Sequence, residues 1–137
     1  MTAINSYLTF SGNCREAMTF YKDCLGGELV LQTVEESPMA GKMPVHLNQS
    51  IMHSTLSNGP VTIMGSDMVR EKLINGNTVQ LCINCSSLEE IETFFSNFAS
   101  GGKIIDPLKE MFWGGTFGAI TDKFGKHWLF NYDKQQP

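Results

Sequence analysis

The sequence predicts an α+β protein composed of two copies of one βαβββ unit, and three observations support this fold class. An apolar, β-rich segment is followed by an amphipathic helical segment and a Gly-Gly pair at two places in the chain. Three further β-rich segments follow each pair, so both halves have the same element order. The apolar positions of the two predicted helices also align at a constant offset of 74 residues (91 − 17): Ala17, Phe20, Tyr21 and Cys24 match Ile91, Phe94, Phe95 and Phe98. An internal repeat of this length indicates two similar modules.

The first module is predicted at about residues 4–67 of a single domain that spans residues 1–137. Its helix begins at Cys14, where Asn13 is a suitable N-cap residue. The helix ends before Gly26-Gly27, because glycine readily adopts the left-handed conformation of a C-terminal cap. Prolines between residues 38 and 44 predict an irregular loop. The strands of this module are predicted at residues 4–11, 28–35, 49–56 and 60–66.

The second module is predicted at about residues 77–133. Its helix opens with a capping box, in which Ser87 is the cap and Glu90 lies three residues later. Gly101-Gly102 ends this helix as Gly26-Gly27 ends the first. The strands of this module are predicted at residues 78–84, 103–108, 116–122 and 127–132.

Composition and charge exclude several classes of partner. A chain of 137 residues with 42% hydrophobic and 18% charged residues suits a globular domain rather than a disordered segment. The formal net charge is −4 and the basic residues form no cluster, so we expect no nucleic-acid partner. Neither a signal peptide nor an apolar run of about 18 residues can be recognised, which predicts a cytoplasmic protein with no membrane partner.

The four cysteines are expected to be free thiols in such a protein. Cys82 and Cys85 have the spacing of a C-x-x-C motif, but they lie at the end of a predicted strand. Strand alternation sends these two side chains to opposite faces. We therefore interpret them as small packed side chains and not as a redox or zinc pair.

Two stretches of the sequence carry a family resemblance. Residues 7–21, from Tyr7-Leu8-Thr9-Phe10 to Phe20-Tyr21, resemble the "YLxFxGN-x-x-EA-x-x-FY" opening of PhnB-like proteins. Residues 112–131, with Phe112-Trp113-Gly114 and a final Asn131, are similar to the closing pattern of that group, and Ile51-Met52-His53 fits between them. The chain thus resembles the PhnB-like branch of the vicinal-oxygen-chelate superfamily, which includes glyoxalases, bleomycin-resistance proteins and dioxygenases.

The resemblance implies curled mixed sheets around a cavity, with the helices outside, and a homodimer. In metal-dependent members, four inward-facing side chains on the first and last strands of the modules hold the ion. The corresponding positions here fall near Ser6, Met64, Thr78 and Leu129, and none of these side chains is a suitable ligand for a catalytic metal. We therefore expect no metal and no other cofactor, and we expect an apolar or aromatic small-molecule ligand in the cavity.

Several side chains are candidates for contact with this ligand. His53 is either a base or hydrogen-bonding group in the cavity or a strand histidine satisfied by a neighbour. Trp113 either forms the floor of a pocket or makes loop and dimer contacts. Gln80 and Asn131 are predicted to face inward by alternation with Thr78 and Leu129. The predicted ligand-binding set is Leu8, Phe10, His53, Met64, Gln80, Trp113, Leu129 and Asn131.

The sequence leaves three functional hypotheses open. The first is a metal-free protein that binds a small apolar or aromatic molecule. The second is an enzyme of glyoxalase or dioxygenase type, which uses either unrecognised metal ligands or acid/base chemistry through His53. The third is a protein whose main role is to form a dimer. The eight methionines are compatible with this role, because flexible Met side chains adapt to partner surfaces. A methyltransferase activity, with which relatives of this group are often labelled, is not expected, because no G-x-G-x-x-G turn joins a strand to a helix.

Overall fold

The structure of the chain is a computed structural model that describes residues 2–134. The chain divides into two compact units, Met1–Ile74 and Asn75–Pro137. Each contains one four-stranded mixed sheet and one long helix. This arrangement confirms the predicted α+β class with two βαβββ modules.

The first unit contains sheet A, in which the strand order is β1-β4-β3-β2. Strand β1 is parallel to β4, whereas β4, β3 and β2 are antiparallel neighbours. A short 3₁₀ helix at Val45–Leu47 lies in the loop before β3 and was not predicted. The other elements are β1 (Ser6–Thr9), α1 (Cys14–Leu25), β2 (Glu28–Thr33), β3 (Ile51–Asn58) and β4 (Val61–Ser66).

The second unit contains sheet B, in which the strand order is β5-β8-β7-β6. Here β5 is parallel to β8 and the remaining pairs are antiparallel, so the topology of the first unit is repeated. Its elements are β5 (Leu81–Asn84), α2 (Leu88–Ala99), β6 (Lys103–Glu110), β7 (Gly115–Thr121) and β8 (His127–Asp133).

Helix α1 buries its apolar stripe against sheet A, as its sequence pattern predicts. Ala17, Met18 and Tyr21 are fully buried on the helix, and Leu56 and Ile63 are buried on the strands. Asn13 occupies the N-cap position but its side chain makes no capping hydrogen bond. A carboxylate from a distant part of the chain binds the start of α1 instead: Asp67 Oδ1 accepts from Gly12 N at 2.9 Å and from Cys14 N at 3.0 Å.

Helix α2 forms an aromatic core with sheet B. The ring centroid of Phe98 lies 4.7 Å from that of Trp128 and 5.4 Å from that of Phe130. The predicted cap at Ser87 is confirmed, because its Oγ accepts from Glu90 N at 3.0 Å. Asp122 Oδ2 accepts from the indole Nε1 of Trp128 at 2.8 Å, so this buried carboxylate has a structural role.

The predicted free state of the four cysteines is confirmed. Cys82 is exposed and Cys85 is buried, which agrees with the prediction that the two side chains lie on opposite faces. Among the helices of residues 2–134, none has the length and apolar character needed to cross a membrane.

Candidate functional site

Each sheet has one face packed against its own helix and an opposite face, which we call its open face. In sheet A, Gly65 identifies the helix side, because a Cβ atom there would lie 3.0 Å from Met18 Sδ and 3.3 Å from Cys14 Sγ. Side chains alternate along a strand, and residues paired across strands share a face. The centre of the open face of sheet A therefore carries Tyr7, Val30, Gln32, His53, Thr55 and Met64.

Tyr7 and His53 form an aromatic pair on the open face of sheet A. Their ring centroids lie 6.0 Å apart, with 31° between the ring planes, and the Tyr7 side chain is 53% exposed. His53 Nε2 lies 3.3 Å from Thr55 Oγ1. Within residues 2–134, neither Nδ1 of His53 nor the hydroxyl of Tyr7 has a hydrogen-bond partner; Nδ1 is not buried, and Tyr7 is an exposed residue. Both polar atoms are therefore accessible to a ligand.

The open face of sheet B has a different chemistry. Gly118 identifies the helix side here, because an added Cβ would lie 2.6 Å from a ring carbon of Phe95. On the opposite side, Asn131 Nδ2 donates to Asn84 Oδ1 at 3.4 Å and to Asp133 Oδ2 at 3.3 Å. This amide group is thus occupied by neighbours on its own sheet. The central open-face residues of sheet B are Cys82, Asn84, Phe117, Ala119, Leu129 and Asn131.

The strand registers relate the open-face positions of the two modules to one another. In sheet A one row runs Tyr7–Met64–Thr55 across three strands. The equivalent row of sheet B runs Cys82–Leu129–Ala119. Two residues earlier in the third strand of each module, His53 of β3 corresponds to Phe117 of β7. The three polar groups of the first module are thus replaced by a thiol, a methyl group and a phenyl ring in the second.

Four of the predicted ligand-binding residues lie on open faces. His53 and Met64 do so in sheet A, and Leu129 and Asn131 do so in sheet B. Trp113, which is 49% exposed, lies in the turn between β6 and β7 and packs edge-on against Phe112 at 5.0 Å between ring centroids.

The predicted placement of Leu8 and Phe10 is wrong, and that of Gln80 stays a prediction. Leu8 pairs with Gly65 and therefore faces α1. Phe10 is 2% exposed, and its ring lies 3.3 Å from where a Cβ of Gly65 would be, so it belongs to the helix-side core. Gln80 precedes β5, which begins at Leu81 and not at residue 78, so strand alternation does not apply to it. The cause in β1 is an error of one residue in parity, which reverses the face of every side chain in a strand.

The same shift moves the positions at which relatives hold a metal. Ser6 pairs with Ile63 on the helix side, and Thr78 lies before β5. The open-face residues opposite Met64 and Leu129 are instead Tyr7 and Cys82. A phenol, a thioether, a thiol and an aliphatic group do not fit a catalytic divalent ion, which prefers imidazole and carboxylate ligands. Within residues 2–134, no three His, Cys, Asp or Glu side chains gather closely enough to hold a metal.

The remaining histidines have other surroundings. His127 Nε2 lies 2.7 Å from the carbonyl oxygen of Gly76, and its Nδ1 lies 3.0 Å from Thr121 Oγ1. Because a carbonyl only accepts, Nε2 carries the proton and Nδ1 accepts from the threonine hydroxyl. His127 is therefore fully engaged in structural bonds. His46 is exposed on the 3₁₀ helix.

Sequence reasoning missed Tyr7 and Thr55 as candidates for the site. The signal for both was the repeat: once Met64 and Leu129 are matched, the residues beside them differ in chemistry between the modules. The strand register determines these neighbours, and it cannot be derived from the sequence alone.

Comparisons with known proteins agree with this architecture. The family model of the Glyoxalase/Bleomycin resistance protein/Dioxygenase superfamily matches residues 3–130. Protein YjdN of Escherichia coli K12 is 32% identical over 146 residues, which cover 98% of this chain and 97% of that protein. The crystal structure of protein PA1353 from Pseudomonas aeruginosa has a TM-score of 0.86 and 34% identity, with 97% of this chain and 98% of that chain covered.

A third relative carries the PhnB name. The structure described as "Putative 3-demethylubiquinone-9 3-methyltransferase, PhnB protein" from Bacillus cereus has a TM-score of 0.76 and 26% identity. It covers 96% of this chain and 99% of that chain. The repeated βαβββ topology, the family match and these relatives lead to one conclusion: the chain belongs to the Glyoxalase/Bleomycin resistance protein/Dioxygenase superfamily.

Proposed function

We propose that the protein binds a small aromatic or apolar molecule, without a metal, and that the open face of sheet A provides the principal contacts. One observation carries this proposal. Tyr7 and His53 present an accessible aromatic pair beside Met64, and two of their polar atoms have no partner among residues 2–134. Sites for small molecules typically combine an apolar lining with a few polar anchors.

The metal-free part of the proposal rests on the donor set. Met64 and Leu129, with Tyr7 and Cys82 opposite them, offer no imidazole or carboxylate.

A thermal-shift screen of small aromatic and apolar compounds tests this function. A ligand that binds only the folded state stabilises it by about 2.7 kcal/mol when its concentration is about 100 times Kd. We expect a stabilising compound to raise Tm equally before and after treatment with EDTA. Stabilisation that disappears with EDTA and returns with Zn²⁺, Ni²⁺, Mn²⁺ or Fe²⁺ would overturn the metal-free proposal.

A matched pair of variants locates the binding surface. Met64→Glu introduces a charge on the open face of sheet A and should abolish the ligand-induced shift in Tm. Val45→Glu introduces the same charge at a residue that is 81% exposed on the 3₁₀ helix, and should leave the shift unchanged. Equal effects of the two substitutions would exclude the open face as the site.

We also propose that the protein works in the cytoplasm as a homodimer. The four free thiols support a reducing compartment, and the family resemblance supports the dimer. Light scattering during size-exclusion chromatography distinguishes a dimer from the 15.2 kDa monomer.

A further inference from the structure

The polar groups on the open face of sheet A indicate what kind of ligand the site selects. The face holds two hydrogen-bonding groups without protein partners within residues 2–134, the Tyr7 hydroxyl and His53 Nδ1. Tyr7 is a donor through its O–H group, and the imidazole is a donor at whichever nitrogen carries a proton. These groups belong to neighbouring rings whose centroids are 6.0 Å apart.

Thr55 influences which ring nitrogen of His53 carries the proton and can therefore donate to a ligand. Its hydroxyl lies 3.3 Å from Nε2. When Thr55 donates its proton to Nε2, the neutral ring carries its own proton on Nδ1, the nitrogen that has no partner. When the imidazole is protonated, Nδ1 is a donor as well. In these two states Nδ1 donates to an oxygen atom of the ligand; when Nε2 instead donates to Thr55, Nδ1 is an acceptor and the Tyr7 hydroxyl is the donor.

Among the residues that the structure describes, no carboxylate lies close enough to Tyr7 and His53 on this face to oppose a negatively charged oxygen. Along the rows of the open face, the titratable groups that share it with His53 are Tyr7 and Glu28. Glu28 lies opposite Ser57, four residues along β3 from His53, which corresponds to about 13 Å. No carboxylate among residues 2–134 bonds to His53 or Tyr7 and competes for their protons.

The second module supplies an internal comparison. Its positions equivalent to Tyr7, His53 and Thr55 are Cys82, Phe117 and Ala119. Sheet B thus has the same topology as sheet A with smaller or fully apolar side chains at these three positions. The phenol, imidazole and hydroxyl of the first module are not needed to form the sheet, and a role in recognition accounts for their presence.

We propose that Tyr7 and His53 form a recognition pair for an ionisable oxygen, so that the selected ligand is a planar aromatic molecule bearing an acidic hydroxyl or carboxylate. This inference rests on the proposed function of ligand binding at the open face of sheet A. Tyr7 and His53 are the binding residues, and Thr55 is a positioning residue that acts through His53.

Two probes of the same ring distinguish this inference from general aromatic binding. 4-Nitrophenol has an ionisable oxygen, whereas in 4-nitroanisole a methyl ether replaces it. Hydrogen bonds to charged groups are worth about 1.5–3 kcal/mol, so the full-length chain should bind 4-nitrophenol about tenfold or more tighter. Absorbance should also show a larger phenolate fraction for bound 4-nitrophenol than for the free compound at the same pH.

Variants separate recognition from folding. Tyr7→Phe removes only the hydroxyl, and His53→Phe installs the side chain that the second module has at the equivalent position. Each should reduce the preference for 4-nitrophenol over 4-nitroanisole severalfold while Tm stays unchanged. Thr55→Val should lower the preference less than His53→Phe does and should reduce the phenolate fraction of the bound probe.

The outcomes separate this inference from the proposed function. Equal affinity of the wild-type chain for the two probes, or an undiminished preference in His53→Phe, would overturn the recognition pair and leave ligand binding intact. Failure to bind either probe would overturn the recognition pair too, because a site for aromatic acids must accept a single ring. The proposed function has its own test: it would be contradicted if no compound of the thermal-shift screen stabilised the chain.

Discussion

The exposed thiol of Cys82 differs from the other cysteines in a way that chemical labelling detects. Cys82 is exposed on the open face of sheet B, whereas Cys14, Cys24 and Cys85 are buried. We predict that one thiol per chain reacts rapidly with Ellman's reagent under native conditions, and that Cys82→Ser removes this phase. Partial burial of the sulfur raises the pKa of Cys82, so this fast phase should accelerate as the pH rises toward alkaline values. Two or more fast thiols per chain would contradict the structure.

At the same scale, the residues of the site could be predicted only in part. Met64 was identified because the family resemblance maps a metal-ligand position near it, and His53 because it lies in the middle of a predicted strand. Leu8 and Phe10 were placed on the wrong face because β1 has only four residues, Ser6–Thr9, and is partly exposed on both sides. Its pairing with β4, and not its own pattern, determines that Tyr7 faces outward. In so short a strand, tertiary contacts determine the face on which each side chain lies.

Among the elements, the start of helix α1 depends on one buried carboxylate. Asp67 Oδ1 accepts hydrogen bonds from Gly12 N and Cys14 N, and Oδ2 accepts from Ile51 N at 2.9 Å. The carboxylate thus joins the N-terminus of α1 to the beginning of β3. A negative charge at this end is also favoured by the helix dipole.

We therefore predict that Asp67→Asn lowers the free energy of unfolding by about 2–4 kcal/mol. The amide has only one acceptor oxygen, and its NH₂ group would face a backbone N–H. Urea denaturation measures the change, and Asp23→Asn on the exposed side of α1 is the matched control, with an effect within about 0.5 kcal/mol. Similar losses in the two variants would show that the three hydrogen bonds contribute little.

The elements themselves were predicted with unequal accuracy. Helix α1 has the predicted bounds and α2 the predicted cap, because amphipathic spacing and Gly-Gly or Ser signals mark helix ends in the sequence. The ends of several strands were off by up to three residues: β5 begins at Leu81 instead of Thr78, and β3 begins at Ile51 instead of Gln49. A strand ends where its partner ends, and the partner lies far away in the sequence.

For the whole chain, the repeat was the most informative feature of the sequence. It predicted the element order of both units, because each helix needs a sheet on which to bury its stripe. It could not predict how the two copies diverge on their open faces. That difference appears only when the registers match His53 with Phe117 and Thr55 with Ala119. The duplication therefore accounts for the fold, and the departures from it identify the candidate site.

Both units contain a buried thiol, and together these thiols predict how the stability of the chain depends on pH. Burial raises the pKa of Cys14 to about 11 and that of Cys85 to about 12, from an ordinary value of 9.0. Below about pH 9 both the folded and the unfolded chain keep these protons, so the contribution of the thiols to stability is fully present. Above it, the unfolded chain ionises first, and this contribution is lost as the pH rises through the folded-state values.

Urea denaturation at about pH 8 and about pH 10.5 measures this loss. A double variant, Cys14→Ala with Cys85→Ala, should lose less stability between the two pH values than the wild-type chain does. Met18→Ala is the control, because it creates a cavity beside Cys14 but removes no titratable group; its cost should be the same at both pH values. If the double variant and the wild-type chain lost stability in parallel, the alkaline sensitivity would have to come from the tyrosines and lysines instead of from the buried thiols.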